Sequence, residues 1–217
     1  MTQITRLMHM AALVAFARRK PSGCAKPLFL QLTHLGCLLV LSPLLWFWAG
    51  AVAAQPRGDV VQARPEGIAL SRMQMATDTA THPAERKPYT VAESAWQDVP
   101  MPDRWGQSRP GYSGSVWYRA HVNFESAPQA PWAVYLPRVI MNAEVWVNGV
   151  LVGSTGRMDE PITRNWNTPL LFSTPGSSWQ TGVNTLHIRV VGFGDGASGL
   201  AVPQLGRLDV LSQKFEK

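Results

Sequence analysis

The sequence has almost no cysteine. Cys24 and Cys37 are the only two, and both lie within the first 54 residues. The remainder of the chain therefore has no disulfide bond and no thiol chemistry to offer. About 160 residues follow, which is enough for one sizeable hydrophobic core without covalent cross-links. We therefore expect a folded domain whose stability comes from packing alone.

Acidic residues are absent from the first 54 residues, about a quarter of the chain, and the first one is Asp59. When the five basic residues of that quarter are removed from the total of 20, 15 remain against 14 acidic residues, so the net charge falls from +6 to +1. The basic balance thus belongs to the N-terminal segment and does not indicate a nucleic-acid surface. We expect no nucleic-acid partner. The five basic residues are Arg6, Arg18, Arg19, Lys20 and Lys26.

Charged side chains are also absent between residues 27 and 54, a segment that is almost wholly apolar. Together with the basic residues before it and the small-residue ending Ala51-Val-Ala53, this segment matches a secretory signal peptide that is cleaved after Ala53 or Ala54. The apolar run is equally long enough to stay as an uncleaved helical membrane anchor. Either alternative places the remainder outside the inner membrane, as a periplasmic or an anchored, periplasm-facing protein.

Helical periodicity is absent after this leader, and short alternating segments take its place. Residues 116–124 give the clearest strand, with apolar side chains on one face and Trp117, Arg119 and His121 on the other. Asn148-Gly149 lies between two apolar stretches and predicts a type I′ hairpin. Further strands are predicted at residues 69–76, 132–136, 143–147, 150–152, 169–172, 185–191 and 207–211.

Many short strands without intervening helices predict an all-β fold, a jelly-roll β-sandwich in one domain. We divide the chain into a leader at residues 1–54, a linker at 55–67, the sandwich domain at 68–213 and a tail at 214–217. The segment from Trp96 to Trp105 contains two prolines, which exclude a helix and suit an extended stretch laid across the sandwich.

Catalytic signatures are missing as well. The histidines of the domain have no zinc-ligand spacing, and no serine stands in G-x-S-x-G. Asp159-Glu160 is the only pair of adjacent acidic residues. Adjacent carboxylates do not point at one glycosidic bond, as the two carboxylates of a glycosidase must. Calcium binding by their oxygens stays open as an alternative. The run from Gly192 to Ala197 fits a dinucleotide fingerprint but opens no helix, so we interpret it as a flexible loop. We predict no enzymatic activity and no cofactor.

A ligand is the more promising prediction. Arg157, Asp159, Arg164 and Trp166 converge in one loop at residues 156–166, and loops on a rigid sandwich commonly carry binding residues. Arg119 either reaches the same rim or pairs with Glu144 on a neighbouring strand. The tryptophans inside predicted strands, Trp117, Trp132 and Trp146, are interpreted as packing residues.

The order of these motifs resembles a known family. Val116-Trp-Tyr-Arg119, Val145-Trp-Val-Asn-Gly149 and Gly182-Val-Asn-Thr-Leu186 resemble the galactose-binding-like jelly roll, including the sugar-binding domain of β-galactosidase and β-glucuronidase enzymes. The stretch from Arg164 to Phe172 and Pro203-Gln-Leu-Gly206 are most similar to the periplasmic input domain of bacterial membrane sensor histidine kinases, the seven-transmembrane receptors with diverse intracellular signalling modules.

This resemblance implies a periplasmic module that senses a small molecule or binds a carbohydrate, with membrane-embedded signalling domains as partners. The chain contains no kinase, so no phosphotransfer is assigned to it. Two alternatives stay open. The module is a non-catalytic accessory domain of a secreted glycoside hydrolase, or it is a structural module that docks to another envelope protein.

Overall fold

The alternating segments of the sequence form two sheets that face each other across a common core. The computed structural model describes residues 57–80, 86–166, 168–194 and 196–216. The large sheet has seven strands, the facing sheet has four, and a third, small sheet has three. The all-β sandwich is therefore confirmed, whereas the predicted leader helix lies outside the described residues.

The elements are short, and only β6 and β12 exceed ten residues. In chain order they are β1 (Val60–Gln62), β2 (Ile68–Ala69), β3 (Arg72–Thr77), β4 (Gln97–Pro100), β5 (Asp103–Arg104), α1 (Trp105–Ser108), β6 (Gly114–Phe124), β7 (Trp132–Leu136), β8 (Val139–Ile140), β9 (Asn142–Val147), β10 (Val150–Ser154), β11 (Leu170–Thr174), β12 (Gly182–Gly192), β13 (Gly199–Leu200), β14 (Gln204–Arg207) and α2 (Leu208–Phe215). Single 3₁₀ turns lie at Pro88–Thr90, Glu93–Ala95 and Gly176–Ser178. The large sheet has the strand order β10-β9-β12-β6-β3-β4, and β1 pairs with β6 outside this order. The facing sheet has the order β11-β7-β14-β2, and the small sheet has the order β5-β13-β8.

Strand β6 shows why the sandwich forms. Its alternate side chains from Val116 to Phe124 are fully or almost fully buried in the core. There they meet β7 and β14 of the facing sheet, for example at Val134 and Leu205. The opposite face of β6, which carries Trp117, Arg119 and His121, is buried as well. Trp96, which precedes β4, packs on it against Trp117.

The hairpin between β9 and β10 turns at Asn148-Gly149 as predicted. Both residues have positive φ, +49° at Asn148 and +81° at Gly149, which is the requirement of a type I′ turn. The Asn148 side chain adds a second function, because its amide nitrogen donates to Asn184 Oδ1 at 2.8 Å and its oxygen accepts from the Thr185 backbone amide at 2.9 Å. The turn is thus fastened to β12 as well as to its own strands.

Three predictions from the sequence differ from the structure. The strand predicted at residues 69–76 is divided into β2 and β3, which belong to different sheets. The strand expected at residues 207–211 ends at Arg207, and residues 208–215 form α2. Leu208, Leu211 and Phe215 are spaced three and four residues apart, so the helical period outweighs the short apolar run, and Leu211 is fully buried. The predicted linker 55–67 contains β1, which pairs in parallel with β6. In the part of the chain that the structure describes, no helix is long and apolar enough to cross a membrane.

Candidate ligand-binding site

A cavity lies where one edge of β6 changes its partner. Strand β3 pairs with β6 at residues 116–119, and β1 pairs with the same edge at residues 121–123. Ala120 lies between the two pairings and has a Cα partner in neither strand. The two strands diverge at this point and leave a cavity of about 310 Å³, which we call the sheet-split cavity. Its volume is at the lower end of the range for small-molecule sites.

The walls of this cavity carry balanced charge. Two carboxylates and two guanidiniums line it, together with one amide and one imidazole. Apolar and backbone surface from β3, β4 and β6 completes the wall. A lining with donors and acceptors of both signs suits a ligand that is polar and uncharged. The polar residues are Asp59, Arg72, Gln74, Asp98, Arg119 and His121.

Arg119 is the residue of this wall whose position is best defined. Its Nε and Nη2 donate to Gln74 Oε1 at 3.1 and 2.7 Å, and its two terminal nitrogens donate to Glu93 at 2.8 Å each. The guanidinium also lies over the Trp96 ring, 4.3 Å from its centroid. The hydrogen bonds from Arg119 lower the pKa of Glu93, against a smaller opposing effect of desolvation. The Arg119 side chain is therefore held in place before any ligand arrives.

Two histidines lie next to Arg119 on the same sheet face. His121 lines the cavity, and its Nδ1 lies 3.4 Å from the Thr185 hydroxyl. Burial, and then the charge of Arg119, lowers the pKa of His121. His187 is opposite Arg119 on β12, and burial lowers its pKa to about 3. At neutral pH His187 is therefore uncharged, and the same cause favours the uncharged form of His121.

The tryptophans of this face are structural. Trp117 and Trp146 are 6.1 Å apart in an edge-to-face arrangement, and both are buried with Trp96 in a second small apolar cluster. Trp132 lies in the main core against Phe124. Their predicted packing function is confirmed.

The predicted pair between Arg119 and Glu144 is wrong. The register of β12 with its two neighbours places His187 opposite Arg119 and Arg189 opposite Glu144. Arg189 is the residue that pairs with Glu144, at 3.4 Å, and also with Asp78, at 3.1 Å. Arg119 and Glu144 lie on the same sheet face, but β9 neighbours β12 and not β6, which no local sequence pattern indicates.

The loop at residues 156–166 is anchored by one buried amide. The Asn142 side chain donates to the carbonyls of Arg157 and Thr163 at 2.8 Å each and accepts from Asn165 at 2.6 Å. Asp159 reaches from this loop to the outer face of the large sheet, where it pairs with Arg86 and lies 3.8 Å from Arg189. The loop is therefore tied to the sheet at both of these points.

The structure places the five predicted ligand residues apart. Arg119 lines the sheet-split cavity, and Asp159 belongs to the ion pairs around Arg189. Arg157 and Arg164 are exposed, and 51 % of Trp166 is accessible to solvent. Arg157 contacts the Glu160 carbonyl at 3.5 Å, and among the described residues no hydrogen bond or ion pair involves the Arg164 side chain. Ligand binding by this loop stays a prediction.

Sequence reasoning missed most of the cavity wall. Asp59 stood in the presumed linker, and Gln74 and Asp98 belong to strands whose pairing is not local. The alternation of residues 116–124 was the one available signal, since it places Arg119 and His121 on one face, and only Arg119 was predicted to bind a ligand. Within the described ranges no three His, Cys, Asp or Glu side chains gather as a metal site would require, and this includes Asp159-Glu160.

Comparisons with known proteins give partial structural likenesses. No protein-family model and no curated protein matches the sequence. Among solved structures, the chain is similar to a GH2 β-galacturonidase from Eisenbergiella tayi bound to galacturonate (19 % identity, TM-score 0.47). It is also similar to a β-glucuronidase from an uncultured Clostridium species (14 %, TM-score 0.49) and to one from Ruminococcus gnavus in complex with D-glucuronic acid (13 %, TM-score 0.49).

These likenesses cover 65 % of this chain and 24 to 29 % of the hydrolases, so the chain spans about a quarter of their length. The three structures are glycosidases, and none of these comparisons supports the expected resemblance to sensor kinases. Each of the three TM-scores is below 0.5, so these likenesses assign no function to this chain.

Proposed function

We propose that this chain is a non-catalytic jelly-roll module that is exported across the inner membrane and binds a neutral sugar or a similar polyol in the sheet-split cavity. The observation that supports this most directly is the charge balance of the wall. Asp59 and Asp98 equal Arg72 and Arg119 in number, so the lining residues have no net charge of their own, and Glu93, which does not line the cavity, pairs with Arg119. The signal-like leader supports the exported location.

Hydroxyl groups fit such a wall for a chemical reason. Each hydroxyl both donates and accepts a hydrogen bond, so it is satisfied best between a carboxylate that accepts and a guanidinium that donates. Asp98 already accepts from Gln74 at 3.2 Å, and Arg119 is fixed by Glu93. The apolar surface from β3, β4 and β6 suits the C–H face of a sugar ring.

An accessory domain of a glycoside hydrolase requires only that the chain bind carbohydrate. An input domain of a receptor requires the same binding step and, in addition, transmission to membrane-embedded domains. We therefore favour the carbohydrate-binding accessory function and regard the sensor as the second candidate. The leader, as a signal peptide or an anchor, is compatible with both.

The test is a binding screen of the purified protein against neutral monosaccharides and disaccharides by calorimetry. We expect Asp98→Asn and Arg72→Gln each to weaken the binding of a confirmed sugar by about tenfold or more, since each removes a charged hydrogen-bonding partner. Glu66→Gln, at an exposed position outside the cavity, is the matched control and should leave affinity unchanged.

Two further variants separate the cavity from the predicted loop. Arg164→Ala and Trp166→Ala should weaken the same sugar if the loop forms part of the site. Normal binding by both would remove the loop from the site, and normal binding by both cavity variants would remove the cavity. Release of a cleaved sugar would contradict the non-catalytic assignment. Failure of every sugar, together with a co-purifying envelope protein, would favour the structural docking module.

A further inference from the structure

The small sheet β5-β13-β8 carries a second cavity, of about 290 Å³, on one of its faces. Its three strands are in register, so that Gly199 on the central strand lies between Arg104 on β5 and Ile140 on β8. Ala201 follows two residues after Gly199, and its backbone amide donates to the Arg138 carbonyl at 3.0 Å. By strand alternation Arg138 is on the same face as Ile140. We call this face the small-sheet cleft.

The centre of the small-sheet cleft is low because its residues are small. Gly199 has φ +153°, and a Cβ built there would lie 2.3 Å from the Asp103 carbonyl oxygen, so the position accepts no side chain. Ala201 adds only a methyl group on the neighbouring row. The rim, in contrast, carries the long side chains of Arg104 and Arg138 at opposite corners. These corners are two strands apart, about 10 Å across the sheet.

The charge of the small-sheet cleft is positive. Arg104 and Arg138 are exposed, and among the described residues no ion pair or hydrogen bond involves either guanidinium. Among the described residues that line this cleft, Asp103 is the one acid, and its carboxylate is buried. There it accepts from Tyr118 at 2.6 Å and pairs with Arg109 at 2.7 Å, so its charge is already compensated.

We infer that the small-sheet cleft is a binding site for a small organic anion that carries a carboxylate or a phosphate group. Both guanidiniums present fork-shaped donors that match these planar or tetrahedral oxygen groups. Because Gly199 and Ala201 have little or no side chain, the body of the ligand has room between the two guanidiniums, where it contacts Ile140. The site is independent of the sheet-split cavity, whose balanced wall selects a different ligand class.

The experiment titrates the purified full chain with inorganic phosphate and with a small monocarboxylate such as benzoate, at low ionic strength, by calorimetry and thermal shift. We expect saturable binding of at least one probe, with a Kd below about 1 mM, that weakens as salt is added. Arg104→Gln and Arg138→Gln should each weaken binding about tenfold. Arg64→Gln, at an exposed position outside this cleft, is the charge-matched control.

A steric variant distinguishes this cleft from general attraction of anions to a basic surface. Ala201→Leu keeps both arginines but fills the floor, and it should abolish binding while the unfolding midpoint stays close to that of the wild type. The inference is overturned if neither probe binds, if the two arginine variants bind as Arg64→Gln does, or if Ala201→Leu binds normally. Asp98→Asn should not change anion binding, so failure of the sugar proposal leaves this result unaffected.

Discussion

His187 should make the stability of the domain depend on pH in a predictable range. Its side chain is 8 % exposed, lies 5.7 Å from the Trp96 ring, and faces Trp117 edge-on at 6.4 Å. Its Nδ1 is buried without a hydrogen bond to any described residue. Burial first, and then the charges of Arg119 and His121, lowers the pKa of His187 from 6.5 to about 3.

The sign of the effect follows from where the proton binds. Because the folded pKa of His187 is below the unfolded value, the unfolded chain binds this proton more readily. The stability contributed by the neutral imidazole is complete above pH 6.5 and declines as the pH falls from about 6.5 towards 3. At pH 5 the unfolded chain holds the proton and the folded chain does not, which lowers the free energy of unfolding by about 2 kcal/mol.

Urea denaturation of the wild type, His187→Phe and His187→Gln at pH 7.5 and pH 5 measures this difference. Neither variant can bind the proton, so each should lose about 2 kcal/mol less than the wild type between the two pH values. The phenylalanine keeps an aromatic ring beside the tryptophans, whereas the glutamine keeps polarity, so agreement between them isolates the proton. If all three proteins lose the same free energy, His187 is protonated in the folded state and the reasoning is refuted.

Two other stability predictions concern the hairpin and the buried ion pairs. Asn148→Ala should lower the free energy of unfolding by about 1 to 3 kcal/mol in urea denaturation, because it places alanine at positive φ and removes the hydrogen bonds to β12; an unchanged midpoint would contradict this. Arg189→Met should cost about 3 kcal/mol, since it leaves the partly buried Glu144 without its cation and leaves the buried Asp78 with only Arg86, at 3.8 Å. Arg207→Met, in an exposed pair, is its control and should cost less than about 1 kcal/mol.

The sequence predicted the parts of the fold that depend on neighbouring residues. The β6 strand follows from an alternation of nine residues, and the β9–β10 hairpin follows from Asn148-Gly149, whose backbone preference is local. The two-residue strands of the small sheet left no pattern, because two residues cannot display a period of two. Helix α2 was missed for a similar reason: its apolar positions resemble a short buried strand until Phe215 is included.

The candidate site was harder to predict than the fold because its residues meet through long-range pairing. Arg119 was identified from a polar face within one strand. Its partners Gln74 and Glu93 are 45 and 26 residues away in sequence. Gln74 is brought close by the pairing of β3 with β6, and Glu93 by the 3₁₀ turn that precedes β4. The loop at 156–166 showed the opposite pattern. Its charged residues are close in sequence, yet in the structure Asp159 lies near Arg189 of the large sheet, whereas Trp166 is exposed to solvent.

The fixed position of Arg119 leads to a last prediction, about a residue that does not line the sheet-split cavity. Glu93 holds the Arg119 guanidinium with two hydrogen bonds, so a ligand need not restrict that side chain when it binds. Glu93→Gln removes the charge that orients Arg119 but leaves the cavity wall unchanged in composition. We expect it to weaken a confirmed sugar severalfold by calorimetry, while Glu66→Gln has no effect. Because the Glu93 side chain is 55 % exposed, the unfolding midpoint should change little. Equal affinities of the two variants would mean that Arg119 does not contact the ligand or that its orientation does not depend on Glu93.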